Sequence, residues 1–463
     1  MTGRPLKQLK QMHLAAHFPG VDNSTVWADP RSRSQIEFSS FEHLARTAER
    51  GLFDFFFLAE GLRLREHKGR IHDLDVVGRP EPLTVLNALA AVTERLGLAA
   101  TVDATFNEPF ELARRLATLD HLSGGRAAWN VVTSSDAFTG ENFRRGGFLD
   151  RADRYPRAAE FVATARELWD SWTPDGVSRP FAHRGRHFDI AGEFTVPRSP
   201  QGHPVVIQAG DSDEGREFAA ATADVIFSGW GSGGCPPGGH STRQSSLETG
   251  RAFYADVKRR LAKYGRAPED LKIMPGVAVV LGDTAAEAQE RAAEIRRQQT
   301  SPQTAILTLE QIWGTDLSGY DPDGPLPETD PVPESGITQG RTRRGDTVAI
   351  AEMGVPPLER SSRVGEAGVS KEKGLSIRQT VIEAGGRQFF TGTPQAVAAE
   401  LEEFVRRDAA DGFILVPHLT PAGLDEFVDR VVPLLQERGV FRTAYEGTTL
   451  RSHLGLSEPV WKG

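Results

Sequence analysis

Polar residues that could do chemistry follow most of the short apolar runs in this chain. They include His17, Glu60, Asp103, Thr105, Asn130, Gly210, Asp211, Ser212 and Ser228. Carboxylates, hydroxyls, an imidazole and an amide in such positions can hold a proton, bind a cofactor or orient a substrate. Strand ends also border solvent, and helix N-caps favour Ser and Asp without any ligand. A single position of this kind therefore does not identify a site.

The stretch VVIQAGDSDEGREFAAATADVIFSGW, residues 205–230, contains the most distinctive of these turns. Gly210 allows a ligand to approach the backbone, and Ser212 offers a hydroxyl. The start of the following helix offers free N–H groups and the positive end of its dipole, which together suit a phosphate. The acidic side chains of the DSDE sequence would complement the same dipole without a ligand and would repel a phosphate. The residues alone leave both interpretations open.

Eight short runs of aliphatic, β-branched or aromatic residues alternate with helical patterns along the chain. The runs lie at 12–18, 52–60, 96–106, 126–134, 203–210, 223–229, 271–282 and 412–417. Most are apolar on both faces, which indicates a buried parallel sheet, and eight strands can close a barrel. The pattern predicts an α/β protein with a (β/α)8 TIM-barrel fold. An open doubly wound sheet is the alternative.

Two segments interrupt this alternation. Residues 300–393, rich in Pro, Gly and charge, separate the seventh run from the eighth. A structureless loop of that length is uncommon, so we expect a partly mobile insertion within a single barrel domain that spans residues 1–463. A Gly-rich stretch, GWGSGGCPPGGHSTRQSS, follows the sixth run and is expected to form a loop. The sequence HRGRHFDIAGEFTV is expected to form a short hairpin.

Composition excludes several classes of partner. The chain has 463 residues and a net charge of −9, which argues against nucleic acid or an anionic membrane. Its one cysteine, Cys235, cannot form an internal disulfide and has no evident base beside it. No apolar run is long enough to span a membrane. His13 and His17 are too far apart on a strand to form an obvious metal pair, so we expect a cytoplasmic protein without a metal site.

Several long motifs resemble one family. They include ERGLFDFFFLAEG, NEPFELARRLATLDHLSGGRAAWNVVTSSDAFTGENF, DRYPRAAEFVATARELWDSW, VVIQAGDSDEGREFAAATADVIF, LSGYDPDGPLP and GTPQAVAAELEEF. The resemblance is to the bacterial-luciferase-like flavin monooxygenases. Within them it is to the branch of nitrilotriacetate monooxygenase component A, dibenzothiophene sulfone monooxygenase and the pristinamycin synthase flavin subunit. It spans nearly the whole chain.

This resemblance implies a flavin-dependent monooxygenase of a two-component system. Such a TIM barrel binds reduced FMN (FMNH2), which a separate NAD(P)H:FMN reductase delivers. It uses O2 to oxygenate a small organic substrate through a flavin C4a-(hydro)peroxide. The flavin supplies the chemistry, while the protein supplies orientation and a dry pocket. The resemblance also implies a homodimer or homotetramer.

The resemblance assigns residues to the cofactor by position. They are Glu60, Thr105, Asn130, Arg151, Tyr155, Gly210, Asp211 and Ser212. Relatives more often have Asp at Glu60, Ser at Asp211 and His at Arg151. An Arg remains compatible with phosphate, because a guanidinium is a stronger anion partner than a neutral imidazole. With the resemblance, the turn at Gly210 is interpreted as a phosphate seat.

The substrate side of the site departs from the family pattern. His17 and Trp27 are assigned to it, but the histidines that relatives often carry before this tryptophan are replaced in GVDNSTVWADP. The sequence therefore identifies neither the substrate nor a catalytic residue.

Three other functions stay open from the residues. A deazaflavin- or flavin-dependent hydride transfer would use the same barrel. A glycoside hydrolase would need two carboxylates, for which Glu60 and Asp103 are the obvious strand-end pair. A non-catalytic binding protein would result if the altered histidine loop abolished the chemistry.

Overall fold

Eight parallel strands close into a barrel, as the sequence predicts. The computed structural model describes residues 10–21, 24–62, 80–133, 143, 153–229, 243–313, 316–327, 374–384 and 389–462. The barrel strands are β1 (His13–His17), β2 (Phe55–Leu58), β3 (Gly97–Asp103), β4 (Ala127–Val132), β7 (Val205–Ala209), β8 (Val225–Ser228), β9 (Lys272–Leu281) and β11 (Gly412–Leu415). Neighbours pair in chain order. The cylinder closes because β9 pairs with both β8 and β11, and β11 pairs with β1.

The helices follow the strands, and most of them pack on the outside of the barrel. They are α1 (Phe38–Arg50), α2 (Pro82–Ala90), α3 (Pro109–Ser123), α4 (Arg154–Asp170), α5 (Asp213–Thr222), α6 (Arg243–Leu261), α7 (Ala285–Gln299), α8 (Pro302–Trp313), α9 (Ile377–Ala384), α10 (Pro394–Arg406), α11 (Asp425–Arg430), α12 (Val432–Glu437) and α13 (Leu450–His453). Local sequence sets several ends. Helix α3 begins at a proline and stops at Gly124, whose φ of 71° few other residues adopt.

Side chains alternate across the barrel wall. Ala99, Ala128 and Ile207 belong to the cluster inside the barrel. Trp129 and Val206, next to them in sequence, pack outside against the helices. This period of two is the ordinary geometry of a strand. It assigns every residue of a barrel strand to the interior or to the helical layer.

Two further pieces of sheet lie outside the barrel. Strands β5 (Pro180–Arg184) and β6 (Asp189–Glu193) form the predicted antiparallel hairpin. Strand β10 (Phe389–Gly392) pairs in parallel with the C-terminal part of β9, residues 278–281, and the sequence analysis did not predict it. The described parts of 300–393 share a small apolar core that includes Leu309, Leu317 and Ile377. Their interpretation as an insertion within one domain stays a prediction, because 328–373 and the Gly-rich loop at 230–242 lie outside the described residues.

The amino end of the barrel is filled by the C-terminal segment. Leu450, Leu454 and Leu456 belong to the same cluster as the residues inside the barrel. Buried ion pairs hold this segment: Arg442 bonds Asp54 at the start of β2 at 2.6 Å, and Arg451 bonds Asp224 before β8 at 3.1 Å. The segment therefore completes the core from the end opposite the strand termini that carry the polar residues.

Shortening Leu454 to Ala should leave a cavity inside the barrel. Leu454 is fully buried, so we expect Leu454→Ala to lower the free energy of unfolding by about 2–4 kcal/mol. Chemical denaturation measures this change. Leu122→Ala is the matched control, because Leu122 is 66% exposed and its loss should have little effect. Equal stability of the two variants would contradict the assignment of the C-terminal segment to the core.

Candidate active site

The carboxyl rim of the barrel brings together residues that are far apart in sequence. Four polar residues lie an even number of positions along their strands from alanines inside the barrel, so they are on the same strand faces. They are Thr101 and Asp103 on β3 with Ala99, Asn130 on β4 with Ala128, and His17 on β1 with Ala15. All four are buried, with 8% exposure or less. The sequence analysis singled out three of them and missed Thr101. Its position two residues before Asp103, on the same strand face, could have indicated it.

Aromatic side chains line the barrel interior below this rim. The His17 ring stacks on Phe57 with centroids 5.4 Å apart, and Phe57 contacts Phe227 at 5.5 Å. Gly276 on β9 leaves room for Phe227, since a Cβ there would lie 2.5 Å from the ring. These rings present an apolar surface to whatever enters the mouth, which suits a planar apolar ring system.

Asn130 and Thr101 form a buried polar pair on adjacent strands. The register pairs the two residues directly, and Asn130 Nδ2 donates to Thr101 Oγ1 at 3.0 Å. Asn130 Oδ1 accepts no hydrogen bond from the described part of the chain. A buried acceptor without a donor is costly and uncommon. A ligand that offers an N–H or O–H group at this depth would satisfy it.

The turn at Gly210 leads into helix α5 through a serine N-cap. Ser212 Oγ accepts a hydrogen bond from Gly215 N–H at 3.1 Å. This is the capping interaction that a serine at a helix N-cap makes without any ligand. It uses a lone pair of the hydroxyl and leaves its proton able to donate. The N–H groups of the first turn also point out of the helix end, as an anion site requires.

Tyr155 and two glycines form a close-packed corner beside this turn. Tyr155, on α4, has its hydroxyl 3.1 Å from where a Cβ would sit on Gly215 and 3.5 Å from one on Gly210. Gln208 lies behind Gly210 in the helical layer outside the barrel wall. Gln208 Oε1, an acceptor, and Ser228 Oγ, a hydroxyl that can donate and accept, are buried without partners among the described residues. The corner can thus admit a polar group only because both glycines lack side chains.

Asp211 links the two turns that follow β7 and β8. Gly229 N–H donates to Asp211 Oδ2 at 2.9 Å, and Arg216 Nε donates to the Asp211 carbonyl at 2.9 Å. Arg216 also pairs with Asp256 at 2.9 Å. The carboxylate that relatives commonly replace by Ser therefore has a structural use in this chain.

Glu60 lies beside Asp103 at the ends of β2 and β3. Asp103 N–H donates to Glu60 Oε2 at 3.1 Å. Burial raises the pKa of Glu60 to about 8, and the nearby Asp103 and Glu81 carboxylates reinforce this shift. Asp103 Oδ1 instead accepts from the N–H groups of Thr105 and Phe106, at 2.6 and 2.9 Å. The carboxylate of Asp103 thus caps its own turn, and this use does not favour a glycosidase pair.

The loop that carries Trp27 is fixed to the chain that follows β11. Val26 N–H donates to the His418 carbonyl at 2.8 Å, and Arg33 N–H donates to the Thr420 carbonyl at 2.7 Å. Trp27 itself is 40% exposed. Burial lowers the pKa of the His418 imidazole to about 4, so it is neutral at pH 7. The structure thus brings Trp27 to the same rim as His17, since β1 and β11 are neighbours.

Other predicted features lie outside the described residues or have no counterpart within them. Arg151 and Cys235 lie outside. No cluster of three or more His, Cys, Asp or Glu side chains suited to a metal occurs in the described ranges. Among the helices of those ranges, none combines the length and the apolar composition needed to cross a membrane.

Comparison with known proteins connects this rim to an enzyme family. The family model described as luciferase-like monooxygenase matches residues 21–412. N-acetyl-S-(2-succino)cysteine monooxygenase of Bacillus subtilis (strain 168) is 39% identical, over 97% of this chain and 98% of the relative. Nitrilotriacetate monooxygenase component A of Aminobacter aminovorans is 39% identical, over 93% and 92%. A structure of riboflavin lyase with modified FMN and riboflavin has a TM-score of 0.74 and 28% identity, and the match covers 97% of both chains.

The chain therefore belongs to the luciferase-like monooxygenase family. It is a flavin-dependent monooxygenase on a (β/α)8 barrel. This confirms the fold, the activity and the flavin cofactor that the resemblance implied. The structure also brings Glu60, Thr105, Asn130, Tyr155 and the Gly210–Ser212 turn to one rim.

Replacing Glu60 by Gln should change how stability depends on pH. The unfolded carboxyl loses its proton near pH 4.5 and the folded one only near pH 8. Between these values the native state binds more protons, so the wild type should lose stability as pH rises, on the order of 1–3 kcal/mol relative to Glu60→Gln. Denaturant midpoints at pH 5 and pH 8 measure this. The exposed Glu193→Gln variant should show the same dependence of stability on pH as the wild type. If Glu60→Gln also showed the wild-type dependence, the raised pKa of Glu60 would be refuted.

Proposed function

We propose that this monooxygenase binds reduced FMN across the carboxyl rim, with the phosphate at the start of α5 and the isoalloxazine ring inside the mouth. The observation that carries the proposal is the set of unpartnered polar groups at both ends of this path. Gln208 Oε1 and Ser228 Oγ lie near the turn, and Asn130 Oδ1 lies inside. A flavin mononucleotide offers ribityl hydroxyls and ring N–H groups that would donate to the two amide oxygens, and a phosphate that would accept from a serine hydroxyl.

The spacing of the two ends supports the same arrangement. Asn130 pairs with Ile207 across β4 and β7, and Gly210 lies three residues further along the chain. At about 3.3 Å per residue this separates the two positions by roughly 10 Å. A five-carbon ribityl chain with its phosphate ester can cover such a span.

Each end of the path would have a distinct task. Ser212, the first-turn N–H groups of α5 and Tyr155 would hold the phosphate. Arg151 is assigned to the same phosphate by resemblance, and it would offset the carboxylate of Asp211. Asn130 and Thr105 would contact the ring side, and Phe57 and Phe227 would exclude water beneath it. When bound, reduced FMN supplies the electrons that reduce O2, so that one oxygen atom enters the substrate and the other leaves as water.

A small organic substrate would enter beside His17 and Trp27, on the rim side of the Phe57 and Phe227 rings. The reduced FMN would come from a separate NAD(P)H:FMN reductase, and the chain would act in the cytoplasm as a homodimer or homotetramer. The single cysteine fits a reducing compartment. Light scattering of the purified protein measures the oligomeric state.

The reaction itself can be tested with isotope-labelled oxygen. A candidate substrate, the purified chain, FMN and an NADH-driven flavin reductase are incubated under labelled O2. Mass spectrometry should then find one labelled oxygen atom in the product. A product reduced or oxidised without labelled oxygen would indicate hydride transfer instead.

Ser212→Ala should weaken the binding of reduced FMN. Loss of the hydroxyl removes a charge-assisted hydrogen bond to the phosphate, which corresponds to about 1–3 kcal/mol. Anaerobic titration with reduced FMN measures the change. Arg151→Ala is expected to fall in the same range.

Thr393→Ala is the matched control for the lost helix cap. Thr393 Oγ1 accepts from Ala396 N–H at the start of α10 just as Ser212 does at α5. Both variants should lose about 0.5–2 kcal/mol of stability. Only Ser212→Ala should lose FMN affinity, and wild-type affinity in Ser212→Ala would contradict the phosphate assignment.

A further inference from the structure

The pair of Thr101 and Asn130 has a fixed polarity inside the barrel. The amide nitrogen of Asn130 faces β3 and donates to Thr101 Oγ1 at 3.0 Å. The amide oxygen is therefore turned away from β3. Thr101 is 4% exposed and Asn130 2% exposed, so bulk water does not compete for either group. The pair thus presents the open amide acceptor, Asn130 Oδ1, to the space on the side away from β3.

An open amide oxygen distinguishes the two redox states of a flavin. In the oxidised ring, N5 carries a lone pair and accepts hydrogen bonds. In the reduced ring, N5 carries a hydrogen and donates one. An unpartnered carbonyl oxygen facing this edge gains a hydrogen bond from the reduced ring and meets a lone pair on the oxidised ring.

We propose that Thr101 is a positioning residue which orients the Asn130 amide so that the site selects reduced over oxidised FMN. The inference rests on the proposed function, in which the ring lies beside Asn130. It goes beyond the cofactor assignment, because Thr101, acting through Asn130, would set which redox state of FMN binds more tightly.

Other groups around the ligand path do not carry this selectivity. The phosphate and the ribityl chain are the same in both redox states, so the Gly210–Ser212 turn and Tyr155 bind them equally. Phe57 and Phe227 make apolar contacts that change little on reduction. Asp103 Oδ1 is occupied by the N–H groups of its own turn. Asn130 Oδ1 is a buried acceptor on the interior face of β4, and it has no hydrogen-bond partner within the described residues.

The experiment compares the affinities for reduced and oxidised FMN in three proteins. Anaerobic titrations give both dissociation constants for the wild type, Thr101→Val and Thr101→Ser. Valine keeps the β-branched shape but removes the acceptor that holds the amide. Serine keeps the hydroxyl and is the matched control. We expect the wild type and Thr101→Ser to prefer reduced FMN, and Thr101→Val to lose about tenfold of that preference.

The midpoint potential of bound FMN gives a second readout that does not depend on turnover. By linkage, tighter binding of the reduced form raises this potential above that of free FMN in proportion to the logarithm of the ratio of the two affinities. The wild type and Thr101→Ser should show the rise, and Thr101→Val should lie closer to free FMN. Circular dichroism and denaturant midpoints check that the variants are folded. Should Thr101→Val fail to fold, Asn130→Leu replaces it, since it removes the amide oxygen that Thr101 orients and should lose the same preference.

The outcomes separate this inference from the proposed function. An unchanged ratio in a folded Thr101→Val variant, or equal affinity of the wild type for both forms, would overturn the role of Thr101 while reduced FMN still binds. A wild type that binds neither form would instead remove the proposed function, and the inference with it.

Discussion

The closure of eight parallel strands is the constraint on which the rest of this structure depends. Parallel strands in a barrel end at one rim, so segments as distant in sequence as β1 and β11 become neighbours. Closure also makes the two-residue alternation absolute, because each side chain lies either inside the barrel or in the helical layer. Asn130 is thereby inside, and Gln208 on the next strand is outside. A shift of one residue in the register of either strand would move its side chain to the opposite face of the barrel wall, and the site would be lost.

The two ends of the barrel have different tasks. The amino end is filled by Leu450, Leu454 and Leu456 and fastened by buried ion pairs to Asp54 and Asp224. A buried carboxylate that lost its arginine would be left uncompensated, so these pairs bind the C-terminal segment firmly to the barrel. The amino end is thus fixed by apolar burial and paired charges. The carboxyl rim presents unpartnered polar atoms that include Asn130 Oδ1 and Gln208 Oε1, within the described residues.

The turn at Gly210 shows that capping and anion binding are compatible. A hydroxyl has two lone pairs and one proton, so Ser212 can accept from Gly215 and still donate outward. Asp211 likewise has a structural bond to the turn after β8. The acidic residues that made a phosphate doubtful in the sequence therefore stabilise the helix start and the neighbouring turn, and the N–H groups remain directed at the rim.

The sequence by itself determined the eight strands, the hairpin, the Ser212 turn and the family, because these depend on local periodicity, turn chemistry and long contiguous motifs. It could not show that Thr101 faces Asn130, that Glu60 lies beside Asp103, or that β10 joins β9. Those facts depend on which strands pair and in which register, and they bring together residues tens of positions apart. Only the closed barrel decided them, since burial of the whole inner and outer cores selects one register over its neighbours.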